Sequence, residues 1–362
     1  MRIAILGVGL IGGSIGLAAR KRLECEVVGF DPDRATADRA VQEGVVDVAA
    51  ASVEEACEGA DLVFCAAPVA SLAELCAAAL GASGPDTVIT DVGSTKRDIV
   101  AAHAEDGRFI GGHPLAGAET SGVENAREDL FEGARWYLTP KSDRSSGVLY
   151  DRLQRTVAGL GARVQAIDAE THDRLMATVS HLPHVVANAL VGQAAAELTR
   201  DSERMPEVGP SFRDTTRVAG ANPAIWGDIF ASNREAVAEA VEAIAGRLRE
   251  AAELIREGER DAVDDWHAAA AADRRRLLET ELSGGPLREL RVVVSNRPGT
   301  IAELALALGE AGVNIEDMAL YPAPDMTSGA VSLWVAGEEQ AARAEELVRQ
   351  LGHTVSAVGD GR

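Results

Sequence analysis

Aromatic residues are scarce in this chain of 362 residues. They make up 4% of it, against 46% hydrophobic residues in all, so its cores have to be built from Ala, Leu, Val and Ile. Cations are short as well: 35 Lys and Arg face 57 Asp and Glu, for a net charge of −22. Such a chain repels nucleic acid and anionic membrane surfaces, and an anionic small molecule can be held only by locally placed Arg or His. Cysteine is limited to Cys25, Cys57, Cys65 and Cys76, all in the first quarter and without metal-ligand spacing. This predicts no metal site and reduced, mostly buried thiols. There is no signal-peptide pattern and no uninterrupted apolar run long enough to span a bilayer. The expectation is a cytoplasmic protein, too long for one ordinary core and of a length for two or three domains.

What is present begins at once. Residues 2–6 form a buried-type strand, followed directly by Gly7-Val8-Gly9-Leu10-Ile11-Gly12 and an Ala-rich helix. A G-x-G-x-x-G between a strand and a helix is the dinucleotide fingerprint in its required context. Gly7 permits the tight turn, Gly9 lets backbone approach a pyrophosphate, and Gly12 lets helix and strand pack closely. The helix N-terminus at Leu10 and Ile11 offers free N–H groups to phosphate. A second strand, Glu26-Val27-Val28-Gly29-Phe30, ends at Asp31, where an acid can bind a ribose 2′-hydroxyl and repel a 2′-phosphate. Asp33 adds to that repulsion, so NAD is expected over NADP.

Further strands are predicted at 61–66, ending at Ala67-Pro68 beside the nucleotide, and at 87–91, ending in Val92-Gly93-Ser94-Thr95-Lys96. A short run, Arg108-Phe109-Ile110, then leads to Gly111-Gly112-His113-Pro114-Leu115-Ala116-Gly117. Strands alternating with helices at this spacing imply a doubly wound parallel sheet, closed by strands at 134–139 and 162–167. Ligands collect at the carboxyl ends of such strands. His113, on a loop past one strand end, can exchange a proton there near neutral pH, and Ser94 faces the same crevice.

The character changes after Asp168. Residues 169–281 carry Ala-rich amphipathic patterning without a convincing strand, which predicts an all-helical domain. Ser180, His181 and His184 share one helical face by their spacing, with Pro183 expected to kink the helix. Arg213 and Arg217, four apart, project from one face of another helix and suit a carboxylate. Two longer helices, about 234–257 and 260–282, carry more apolar surface than one small domain covers, so a homodimer is expected. After the linker Ser283-Gly284-Gly285-Pro286 the order is βαββαβ, the ferredoxin-like arrangement. The expected domains are 1–168, 169–283 and 287–362.

Taken together and in this order, these motifs make the chain resemble the prephenate dehydrogenase family, in its form with a C-terminal ACT domain, over nearly its whole length. The marks are the Gly7/Gly9/Gly12 fingerprint with Asp31, residues 91–96, residues 111–117, Ser180-His181-Leu182-Pro183-His184 and Phe212-Arg213-Asp214-Thr215-Thr216-Arg217. The resemblance implies oxidation of prephenate, or of arogenate, by a nicotinamide cofactor. Carbon dioxide is lost, and 4-hydroxyphenylpyruvate or tyrosine is formed. His113 would take the hydroxyl proton, with Ser94 in the same hydrogen-bond network. Arg217 would clamp a carboxylate, Ser180 and His184 would line the substrate site, Arg213 would contact substrate or close the site, and Glu119 would gate it by ion pairing. The chain departs from the family at Ala118, where some members have threonine, and at Arg213, where lysine can occur. In the ACT segment Asn296-Arg297-Pro298-Gly299 replaces an Asp-x-x-Gly ligand turn, while Asn314 still fits. Asn296, Pro298, Gly299 and Asn314 are thus the positions at which a tyrosine effector would bind.

Arogenate dehydrogenase is the competing enzyme reading. A β-hydroxyacid dehydrogenase shares the domain plan but relies on a lysine in the helical domain, and no lysine occurs between Ala169 and Gly284. A non-catalytic NAD and amino-acid sensor would have no use for a base beside a carboxylate clamp.

Overall fold

The computed structural model describes residues 1–117, 120–140, 147–198, 208–279, 287–295, 297, 299–323 and 327–357. The chain divides into two compact units, Met1–Gly246 and Arg247–Arg362.

In the first unit, β1 (Arg2–Leu6), β2 (Glu26–Phe30), β3 (Val48–Ala49), β4 (Leu62–Cys65) and β5 (Val88–Asp91) form a parallel sheet in the order β3-β2-β1-β4-β5. The crossovers carry α1 (Leu10–Leu23), α2 (Arg34–Gln42), α3 (Val53–Cys57) and α4 (Val69–Ala82), and α5 (Arg97–Ala102) follows β5. Side chains alternate across each strand. Ile3, Ile5, Val27, Leu62 and Phe64 therefore enter one core, and Ala4, Leu6, Val28, Val63 and Cys65 enter the core on the other face. Burial on both faces is why these strands read as continuous apolar runs. Strand order reverses between β1 and β4, which makes the crevice at their carboxyl ends the place for a nucleotide.

The edge beyond β5 differs from expectation. Only Phe109 of the predicted strand 108–110 bridges to the sheet, parallel to Ile89. The strand proper is β6 (Gly111–Pro114), so His113 lies within a strand and not on the loop after one. β6 pairs antiparallel with β7 (Arg135–Thr139), which pairs parallel with β8 (Arg163–Ala166) after α6 (Gly147–Gly159). β6, β7 and β8 thus form a separate three-stranded mixed sheet beside the wholly parallel five-stranded one, linked to it by the Phe109–Ile89 bridge. A parallel pair needs a crossover of a dozen or more residues, usually a helix. Among the described residues from Leu115 to Ala134 the chain makes only turns, with a 3₁₀ turn at Val123–Asn125, and comes straight back.

The helical part opens with α7 (Ala169–Met176), capped by the Asp168 carboxylate on Thr171 N–H. It continues without a break through a π-helical turn at Ala177–His181 into α8 (Leu182–Leu198). Pro183 has no N–H to give the preceding turn. The helix widens there into the π turn, in which Leu182 N–H reaches back to the Ala177 carbonyl. Residues Ala169–Glu197 are long and apolar enough to cross a membrane by length and composition, contrary to the expectation from sequence. The run passes because its interruptions are mostly His, Ser, Thr and Pro. Several of these polar groups are committed to contacts within the first unit, as described below. Next come α9 (Pro210–Thr216), a 3₁₀ turn at Arg217–Gly220, α10 (Pro223–Ser232) and α11 (Arg234–Glu257).

The second unit contains α12 (Arg260–Glu279), then β9 (Leu287–Ser295), α13 (Thr300–Glu310), β10 (Asp317–Pro322), β11 (Ser328–Ala336), α14 (Glu338–Gln350) and β12 (Thr354–Ala357). Its sheet runs β10-β11-β9-β12 with every neighbour antiparallel. Leu290, Val292 and Val294 of β9 face a core shared with Leu304, Leu308, Ala344 and Val348, and Val293 points the other way and is exposed.

Candidate active site

The nucleotide end is fixed by glycines that admit no side chain. Gly7 has φ +98°, and a Cβ there would sit 2.2 Å from the Ala66 carbonyl oxygen; at Gly12 it would sit 1.9 Å from that of Gly7. At Gly9 a Cβ would meet nothing within 4 Å, so this face is open to a ligand. Gly9 caps α1 without a side chain, and the first N–H groups of α1, at Leu10 and Ile11, have no intrahelical acceptor. Pro68 caps α4, and with Leu6, Gly7, Phe30, Pro32 and Ala67 it lines a cleft of about 400 Å³.

Asp31 organises the turn. One carboxylate oxygen accepts from Val8 N–H at 3.1 Å and the other from Asp33 N–H at 3.0 Å, leaving lone pairs for a ribose hydroxyl. Asp33, expected to repel a 2′-phosphate, is the N-cap of α2 and accepts from Ala35, Thr36 and the Thr36 hydroxyl. Arg34, the nearby cation that could greet a 2′-phosphate, pairs with Asp38 and points at the Ala49 and Ala50 carbonyls. These residues fit NAD.

The other end of the site is built on β5. Asp91 closes that strand, fully buried, in an ion pair with the equally buried Lys96. Its carboxylate also accepts from Gly93 N–H at 2.8 Å and Gly112 N–H at 3.1 Å. It therefore sets both the loop that carries Ser94 and the strand that carries His113. The paired glycines let β6 come this close: a Cβ at Gly112 would lie 2.6 Å from the Asp91 carbonyl oxygen, and one at Gly111 2.4 Å from Thr139 Oγ1. Carrying the Phe109–Ile89 register onward sets Gly111 level with Asp91, so His113 extends two residues past the end of β5. Ser94 is half-buried on the adjoining loop.

His113 is 9% exposed. Burial above all, and then the neighbouring His172, Lys96 and His181, hold its imidazole well below the ordinary histidine pKa. It is neutral at pH 7 and able to accept a proton. His113 Nδ1 lies 2.9 Å from His172 Nε2, and His172 Nδ1 lies 2.8 Å from Asp173 Oδ1. The Asp173 carboxylate also accepts the N–H groups of Lys96 at 2.7 Å and Arg97 at 2.8 Å. Asn233 donates to the Asp173 carbonyl and to His181 Nδ1. Thr95 and Ser232 hydroxyls meet at 2.8 Å.

His181 and His184 both face Trp226, the first edge-on and the second stacked at 3.5 Å between ring centroids. Burial takes His181 down to about 4. His184 is also lowered, by burial and then by the Arg217 charge, and its ring meets the Val218 carbonyl. Arg217 is thus beside His184. Arg213 and Arg217 do not sit on one continuous helical face as expected, because α9 ends at Thr216 and Arg217 opens the 3₁₀ turn. Both are exposed, and Ser180 is half-buried. Ala118, Glu119, Asn296 and Pro298 lie outside the described residues. In the second unit Gly299 caps α13 with φ +93°, and Asn314 donates to Glu316.

Asp91, Lys96, His172, Asp173, Asn233 and Trp226 carried no expected role. A signal was present for two pairs: opposite charges bracketing a strand-end loop at Asp91 and Lys96, and a His-Asp step at 172–173 inside an apolar helix.

A switch-point crevice with a complete glycine fingerprint, closed at the far edge by a buried neutral histidine, defines an NAD-dependent oxidoreductase. The chain belongs to the prephenate dehydrogenase family. Residues 15–166 match the family's "Prephenate dehydrogenase, nucleotide-binding domain" and residues 168–268 its "Prephenate dehydrogenase, dimerization domain". A prephenate dehydrogenase of Bacillus subtilis is 31% identical over 360 residues, covering 96% of this chain and 95% of that one. The crystal structure of prephenate dehydrogenase from A. aeolicus, in complex with hydroxyphenyl propionate and NAD+, is similar at TM-score 0.71 and 32% identity, over 76% of this chain and 98% of that one. Synechocystis arogenate dehydrogenase matches at TM-score 0.69 and 27% identity, over 76% and 100%.

Proposed function

We infer that this chain oxidises prephenate with NAD and decarboxylates it to 4-hydroxyphenylpyruvate, a step of tyrosine biosynthesis. The observation that carries the inference is His113: a buried, uncharged imidazole at the edge of the sheet where the nucleotide fingerprint opens. Gly7, Gly9, Gly12 and Asp31 would hold NAD, which would supply the acceptor for the hydride of the hydroxyl-bearing ring carbon. His113 takes the hydroxyl proton. The bond to the ring carboxylate breaks, carbon dioxide leaves, and the electron pair completes the aromatic ring. Ser94 hydrogen-bonds the same hydroxyl, and Arg217 holds a substrate carboxylate. Ser180 and His184 line the site, and Arg213 contacts substrate or closes it.

We read residues 287–362 as a ferredoxin-like ACT domain that takes tyrosine near Gly299 and Asn314, a reading supported by their βαββαβ order. The exposed Leu248, Ile255 and Trp266 suit a homodimer built on the long helices. The four cysteines, all free and buried, suit the reducing cytoplasm.

The test is NADH formation with prephenate and with arogenate in parallel. Turnover of prephenate well above arogenate is expected. The reverse preference would make the chain an arogenate dehydrogenase, as the likeness to the Synechocystis protein allows, and turnover of neither would refute the inference. Tyrosine added to the same assay should lower the rate, and no effect would remove the effector.

A further inference from the structure

We propose that His172 and Asp173 are positioning residues that hold His113 in the one neutral tautomer able to act as base at Nε2. The proposal rests on His113 being that base.

The assignment follows from which atoms can donate. An ionised carboxylate only accepts, so the 2.8 Å contact with Asp173 Oδ1 places a proton on His172 Nδ1. A His172 with one ring proton then carries its lone pair on Nε2. That nitrogen lies 2.9 Å from His113 Nδ1, so His113 Nδ1 must be the donor. The lone pair of His113 is thereby left on Nε2. A free imidazole favours the opposite tautomer, with the proton on Nε2, which could not take a proton from a hydroxyl there. When Nε2 accepts the substrate proton, His113 becomes imidazolium. Its Nδ1–H bond to His172 strengthens, and the charge is stabilised by Asp173 behind it.

The surroundings make this order hard to change. His172 is fully buried and Asp173 nearly so. Tyr137, the strand partner of His113, sets its ring edge-on to His172 at 5.5 Å. Asp173 is pinned from two further sides by Lys96 and Arg97 N–H. These are the first residues after the Ser94 loop, so one carboxylate fixes both the tautomer of the base and the loop beside it. The charged or titratable groups facing His113 are His172, Lys96 and His181, with Asp173 and Asp91 behind them.

The experiment compares wild type, His172→Phe, Asp173→Asn and His113→Asn as full chains. His172→Phe keeps ring volume and removes the acceptor; Asp173→Asn removes the negative charge behind His172. In both, kcat for prephenate should fall by roughly 10²-fold or more, while the prephenate KM and the Kd for NAD stay within about threefold. NMR of [15N]histidine-labelled protein, with His113→Asn giving the assignment, should show His113 protonated at Nδ1 in wild type and at Nε2 in His172→Phe. This readout does not depend on turnover. Wild-type kcat in His172→Phe overturns the proposal. So does a fall in kcat accompanied by equal losses of melting temperature and NAD affinity with His113 still protonated at Nδ1, which is a merely structural effect. If His113→Asn itself turns over normally, the base assignment fails; if only the His172 and Asp173 variants do, the relay alone fails.

Discussion

Lys96→Met is the substitution that tests the architecture of the site most severely. Lys96 and Asp91 are both fully buried, and Asp91 in turn holds Gly93 and Gly112. Taking away the ammonium leaves a carboxylate in an apolar interior with two backbone N–H groups and no countercharge. Breaking a buried pair in this way costs about 3–5 kcal/mol. In a domain of this size a loss of 1 kcal/mol lowers the melting temperature by roughly 2–4 °C, so calorimetry should show a fall of about 6–20 °C. Because the Gly112 contact at 3.1 Å positions β6, turnover should fall as well. Pairing Lys96→Met with Asp91→Asn removes the stranded charge and should recover part of the loss, with a coupling energy of about 1 kcal/mol or more. A single variant that melts within about 2 °C of wild type would show that Asp91 is not ionised against Lys96, and the reasoning would be wrong.

Two further outcomes follow from the same geometry. Gly12→Ala puts a Cβ 1.9 Å from the Gly7 carbonyl oxygen, an overpacking that costs about 1–3 kcal/mol. It should weaken NAD binding by about tenfold or more, whereas Gly9→Ala, with open space around it, should melt like wild type and still lose NAD; melting temperature distinguishes them, and wild-type NAD affinity in either, by fluorescence titration, would contradict the fingerprint. His181 is neutral in the folded chain down to about 4 but takes a proton near pH 6.5 when unfolded. Folding stability is therefore undiminished above pH 6.5 and falls as pH drops from 6.5 towards 4, by about 3 kcal/mol in all. His181→Gln should flatten the denaturant-midpoint profile in that window, and an unchanged slope would remove His181 as the source.

The nucleotide half was legible in the sequence because its constraints are local. Gly7, Gly9, Gly12 and Asp31 sit at fixed offsets along one strand–turn–helix unit, and their chemistry is backbone chemistry. The substrate half was legible only as separate motifs. His113 stood out because glycines and a proline flank it, yet those glycines serve a strand that lies against Asp91, not a loop. The antiparallel return of β7 depends on the absence of a helix among the described residues between 115 and 134, which periodicity does not reveal. His172 and Asp173 passed unnoticed because they fall in a helix whose pattern reads as core, and their partners at 96, 97 and 113 come from another part of the chain. Contacts at a separation of 59 residues leave no periodic trace.

The acid limb of kcat/KM against pH tests the role of His113 most directly. Its imidazole is held well below the ordinary histidine pKa, so with prephenate the ratio should stay level as pH falls through 6.5 and decline only well below it, and this limb should vanish in His113→Asn. A limb at or above pH 6.5, or one that survives in His113→Asn, would contradict a buried neutral histidine as the base.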